Sequence, residues 1–140
     1  MLDKNLFFDE NAEQLTTSGS TNVVDLNDVR NIAAGQPIYL ESLVRTALTD
    51  SGSDSTMTLT VETDDNASFS SATELQTIGT FAAVSAAGTK LSVALAITDL
   101  YERYIRVKYT VAGGDLTTGK FSTYLTLMPS VNTAYADGIA

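Results

Sequence analysis

Carboxylates carry most of the reactive chemistry this chain can offer. Asp64-Asp65-Asn66-Ala67-Ser68-Phe69-Ser70 sets side-chain oxygens at a calcium-like spacing. Asp64/Asp65 and Asp99/Glu102 are the carboxylate pairs that acid–base cleavage of a glycosidic bond would need. Each falls short. An EF-hand loop needs Gly where Phe69 stands and Glu where Leu75 stands. Both carboxylate pairs lie in turn sequence, where acids ordinarily cap or solvate the backbone. Aromatic residues, the usual platform for a sugar, are 8% of the chain, and none is Trp. Gly114-Asp-Leu-Thr-Thr-Gly119-Lys120 fits the first seven positions of a P-loop, but Phe121 stands where Ser or Thr would hold magnesium. That segment also feeds a strand, not the helix whose terminal amides cradle phosphate.

The chain has no His and no Cys. It therefore lacks the usual neutral-pH general base, the commonest metal ligand, thiol nucleophiles and disulfides. No catalytic, cofactor-binding or metal-binding residue is expected, and no enzyme activity. Contact with another macromolecule is the chemistry that remains.

The elements that must present such a contact are strands. Thr56-Met57-Thr58-Leu59-Thr60-Val61 alternates polar and apolar, the signature of a sheet with one wet face. Met57, Leu59 and Val61 point inward, with Thr56, Thr58 and Thr60 outside. Ile38, Leu40, Val44 and Leu48 share one parity behind Pro37. Ile105, Val107, Tyr109 and Val111 alternate with Tyr104, Arg106, Lys108 and Thr110. Phe121, Thr123, Leu125 and Leu127 form a further inward row. Shorter runs near Val23–Leu26, Leu75–Phe81 and Leu91–Ile97 bring the total to about seven or eight, separated by turn signals. The fold class predicted is all-β: a jelly-roll-like antiparallel β-sandwich with extended N- and C-terminal arms.

One domain suits 140 residues. Residues 1–20 read as an N-terminal arm, with the apolar knot Leu6-Phe7-Phe8 before a Thr/Ser/Gly stretch. Residues 21–128 are the sandwich, and 129–140, after Pro129, a C-terminal tail. Removing residues 1–10 is expected to weaken binding and leave the fold intact. The first ten residues lack the apolar core of a signal peptide, so synthesis in a cytoplasm is expected.

The net charge of −9 disfavours nucleic acid and anionic membranes as partners. Basic residues are uneven: Lys4, Arg30 and Arg45 precede residue 90, whereas Lys90, Arg103, Arg106, Lys108 and Lys120 cluster after it. Arg and Tyr are favoured at interfaces because each joins a large rigid surface to a polar tip. Leu6, Phe7, Phe8, Arg103, Tyr104, Arg106, Lys108 and Tyr135 are the candidate protein-binding residues.

Four segments, Asn31-Ile-Ala-Ala-Gly-Gln-Pro-Ile-Tyr-Leu, Leu59-Thr-Val-Glu-Thr-Asp-Asp-Asn-Ala-Ser-Phe, Arg103-Tyr-Ile-Arg-Val-Lys-Tyr-Thr-Val and Thr118-Gly-Lys-Phe-Ser-Thr-Tyr-Leu, carry a resemblance. Together they resemble the capsid cement (decoration) proteins of tailed bacteriophages. The resemblance implies a jelly roll on the outer surface of the virion capsid, clamping the major capsid protein lattice non-covalently after synthesis in the bacterial host. It supplies no catalytic residues. A homo-oligomer is expected, a dimer by preference, because a twofold contact lets one protein bridge two capsomers. The alternative expectation is a glycan- or receptor-binding β-module of a phage tail or fibre.

Overall fold

The computed structural model describes residues 6–27, 37–82, 84–96 and 100–127. Nine strands account for most of them: β1 Phe7–Glu13, β2 Ser18–Gly19, β3 Val24–Asp25, β4 Tyr39–Thr49, β5 Thr56–Asp64, β6 Thr73–Phe81, β7 Lys90–Ala94, β8 Tyr104–Ala112 and β9 Thr118–Thr126. The described residues contain no helix long and apolar enough to cross a membrane.

The strands form two antiparallel sheets. The first has the order β1-β9-β4-β7 and the second β2-β8-β5-β6, with β3 also on β8. β2 and β3 pair with successive stretches of β8, Ser18 opposite Tyr109 and Val24 opposite Ile105, so they form one interrupted edge. The chain alternates between the sheets, and this pairing order is that of a jelly roll.

Period-two alternation drives the assembly. Leu40, Val44 and Leu48 of β4 and Phe121 and Leu125 of β9 face Met57, Leu59 and Val61 of β5 and Ile105, Val107 and Tyr109 of β8, all buried. Phe121 links the layers, with its ring centroid 5.5 Å from Phe81 and 5.3 Å from Tyr109. The inward polar groups are partnered. The Tyr109 hydroxyl and Thr123 Oγ1 lie 2.6 Å apart, and Thr123 Oγ1 is 2.9 Å from Ser42 Oγ. Thr60 points to the outer face as expected, opposite Lys108 and Thr77, but its neighbours cover it there.

The segment read as an N-terminal arm divides differently. β1 is the edge strand of the first sheet, paired with β9, and β2 belongs to the second. Phe8 is completely buried in the core. Deleting residues 1–10 would remove Phe8 and half of β1, so the fold would lose a core side chain along with any contact. The composition of 1–20 suggested a linker because the Thr/Ser stretch that separates β1 from β2 looks like one. The tail at 129–140, Tyr135 within it, and Ile97, Thr98 and Asp99 lie outside the described residues.

Free sheet edges invite pairing with other chains, and on each side of this sandwich hydrogen bonds tie an edge strand to a neighbouring segment. Along β1 the Asn22 amide donates to the Phe8 carbonyl at 2.9 Å, and Asn22 Nδ2 donates to the Phe7 carbonyl at 2.7 Å. On the opposite side Gln76 bridges the sheets. Its Nε2 donates to the Ala94 carbonyl and its Oε1 accepts from the Ala96 amide, both at 2.9 Å.

The Gly113-Gly114-Asp115 break between β8 and β9 depends on Gly113. Its φ of +88° is in the left-handed region, and a Cβ there would stand 2.7 Å from the Asp54 carbonyl oxygen. Backbone on both sides leaves nothing to give way. Gly113→Ala is therefore expected to lower stability by about 1–3 kcal/mol, read as an earlier urea midpoint with the same slope.

Candidate functional site

β8 carries three of the expected binding residues, and alternation points Tyr104, Arg106 and Lys108 to the outer face of the second sheet. Their partners come from β5, where Glu62 is opposite Arg106 and Asp64 opposite Tyr104. Arg106 Nε lies 2.9 Å from Glu62 Oε2, and its guanidinium lies over the Phe69 ring at 4.4 Å. Gly19 makes room for that guanidinium, since a Cβ there would meet Arg106 Nη1 at 2.6 Å. Lys108 Nζ lies 3.8 Å from Glu62 and 3.9 Å from Glu74. Glu62 is only 4% exposed, so these two cations neutralise a buried carboxylate of their own sheet.

Arg103 is placed differently. Both it and its partner Asp25 are exposed, and they meet in a fork, Nε to Oδ1 at 2.9 Å and Nη2 to Oδ2 at 3.0 Å. The guanidinium also lies over the Tyr104 ring at 5.0 Å. The backbone holds this pair in position, with the Leu26 amide donating to the Arg103 carbonyl at 2.8 Å.

Asp25 forms part of the rim of an apolar groove of about 310 Å³ at one end of the sandwich. Leu6, Val24, Leu26, Ile38, Leu125 and Leu127 line it. The lining comes from the start of β1, the β3 edge, the entry to β4 and the exit of β9, where the two sheets diverge. Leu6 is 37% exposed and Leu127 57%. Alternation from Phe121 and Leu125 predicts an inward Leu127. It is one residue past the end of β9, where the opposite sheet no longer covers it.

The structure thus places Leu6 in the groove and Arg103 on its rim residue Asp25, with Tyr104 against Arg103. Arg106 and Lys108 lie further along β8. Phe7 lies on the outer face of the first sheet, its ring 5.2 Å from that of Tyr124. Phe8 is in the core. Sequence reasoning missed Asp25, Leu26 and the outward turn of Leu127. The one signal for them was that apolar residues stand at strand ends, where core coverage stops.

Among the described residues, Asp64, Asp65 and Glu102 bring carboxylate oxygens within 4.8 Å of one another. Asp64 is buried, and its oxygens accept from the Ser71 amide at 2.9 Å and the Asn66 amide at 3.2 Å. These bonds, that to Ser71 foremost, hold its carboxyl below the usual range. Asp64 thereby organises the turn between β5 and β6.

Asp50 does the same before β5. A hydrogen bond from the Ser55 side chain and bonds from the amides of Asp54 and Ser55 lower its pKa to about 2. The fork with Arg103 lowers that of Asp25. Burial and the bond to Glu41 push Tyr124 up to about 12, and burial raises Tyr101 and Tyr109. A carboxylate depressed by folding adds stability above its unfolded value of 3.8, lost as pH falls through the folded value. A phenol raised by folding adds stability below its unfolded value of 10.0, lost as pH rises. With no His to titrate between them, the unfolding temperature is expected to stay flat from about pH 5 to pH 9 and fall on both sides, below about pH 4 and above about pH 10. A calorimetric series across pH checks this.

These features define an all-β jelly-roll module that presents an apolar groove beside an exposed arginine–aspartate fork. Its family is specific: residues 10–125 match the Bbp16 family model, and the chain belongs to that family, a family of Bordetella phage proteins. None of the curated proteins matches the chain.

Proposed function

We propose that this protein is a capsid cement protein, bound to the outer surface of a phage head and clamping neighbouring major capsid protein subunits without covalent bonds. Membership of a phage protein family and the sequence resemblance to capsid cement proteins, closely to that of a short-tailed Bordetella phage, support this reading. The single observation that carries it is the groove around Leu6 and Leu127, an apolar surface exposed among the described residues. Action by contact rather than catalysis fits a chain without His or Cys.

Mass action supplies the mechanism. A protein that binds the assembled lattice and not its free subunits stabilises the lattice by the free energy of binding. Modest clamps suffice, because many add around a closed shell. A dimer would place two grooves on two neighbouring subunits.

Heat release of DNA tests the function. Heads saturated with the protein should release their genome at a higher temperature than heads lacking it. Equal release temperatures at saturation would contradict it.

A further inference from the structure

The groove leaves the outer face of the first sheet unused. Phe7, Tyr39 and Tyr124, which are far apart in sequence, all face outward there from β1, β4 and β9. Cross-strand register sets Phe7 opposite Tyr124, and Tyr124 opposite Glu41. The Tyr124 hydroxyl donates to Glu41 Oε2 at 2.6 Å, and Glu41 is 1% exposed. This bond fixes the Tyr124 ring, and the Phe7 ring is tilted 51° against it.

A concavity of about 410 Å³ lies over these two rings. Its size falls in the range of small-molecule sites, about 300–1,000 Å³. Glu10, Asn11, Arg45 and Ser122 supply its polar lining. Two irregularities in the β1–β9 register bring Asn11 to φ +51°, where its amide donates to Ser122 Oγ at 3.0 Å. Glu10, Asn11 and Arg45 are exposed. Arg45 and Glu10 belong to none of the ion pairs among the described residues.

We propose that this concavity is a saccharide subsite that takes a neutral hexopyranose. A pyranose has an apolar face of C–H groups, which matches a fixed aromatic ring. Its rim of vicinal hydroxyls needs a donor and an acceptor side by side. Arg45 is a five-donor fork, Glu10 an acceptor, and the Asn11 side chain offers both. The net charge of −9 disfavours a polyanionic glycan, so the neutral sugar is the class that fits. The site shares no lining residue with the Leu6–Leu127 groove, so a glycan held here leaves the groove free for the shell.

The test is a titration of the full ¹⁵N-labelled chain with galactose, glucose and mannose, each alone, read by amide chemical shifts. At least one hexose should give saturable shifts at Asn11, Arg45 and Tyr124, with a dissociation constant in the millimolar range. Arg45→Ala should weaken that binding about tenfold with an unchanged unfolding midpoint. Tyr124→Phe, which keeps the ring but loses its bond to Glu41, should weaken it less than Arg45→Ala does. Absence of saturable shifts with all three sugars would overturn the proposal. So would shifts centred on Leu127, or an Arg45→Ala protein that loses head binding without any sugar response, which would assign the concavity to the coat protein.

Discussion

Leu127→Asp is expected to abolish binding to phage heads while leaving the fold intact. Leu127 is 57% exposed, so the substitution should change stability by less than about 0.5 kcal/mol. In a closed contact the new carboxylate would be desolvated against Leu6, Val24, Leu26, Ile38 and Leu125, beside the like charge of Asp25. A loss of about 2–4 kcal/mol, roughly 30- to 1,000-fold in affinity, follows. Leu6→Asp should act in the same direction more weakly, because Leu6 is less exposed. Leu125→Asp provides the contrast. Leu125 is 3% exposed, so a carboxylate there should unfold the domain. Binding isotherms on heads, alongside urea melts of each variant, separate the two effects. Full head binding by folded Leu127→Asp protein would remove the groove from the interface.

The second large effect is on stability. Arg106→Ala should cost about 2–3 kcal/mol. It strips the close partner from Glu62, whose side chain is 4% exposed, and leaves only Lys108 Nζ at 3.8 Å. It also removes the cation from the Phe69 ring. The figure is below that for a fully buried pair because the Arg106 side chain is 24% exposed and water screens it. Adding Glu62→Gln should recover much of the loss, giving a coupling energy in a double-mutant cycle. Head binding per folded molecule should be unchanged. A stable Arg106→Ala protein that no longer binds heads would instead make the outer face of β8 a contact surface.

That prediction marks where the sequence stopped being informative. Alternation placed the inward rows of β5, β8 and β9 correctly, because period two survives wherever one face is buried. It also identified Tyr104, Arg106 and Lys108 as outward. It could not show that Arg106 and Lys108 face carboxylates, since Glu62 is 44 residues from Arg106. The Arg103–Asp25 fork spans 78 residues and was equally hidden. Phe8 was misjudged because a core residue on an edge strand, beside Thr/Ser linker sequence, looks like an arm. The groove itself was illegible: four segments from across the chain line it, and only the sheet order brings them together. The low aromatic content gave no sign of the Phe7–Tyr124 pair for the same reason, since only cross-strand register brings the two rings together.

Co-sedimentation with expanded heads that lack the protein, run beside free coat protein, tests the central claim most directly. Saturable binding to heads, no binding to free subunits, and loss of the signal with Leu127→Asp are expected. Binding to neither, or equal binding to free coat protein, would contradict a lattice-specific clamp.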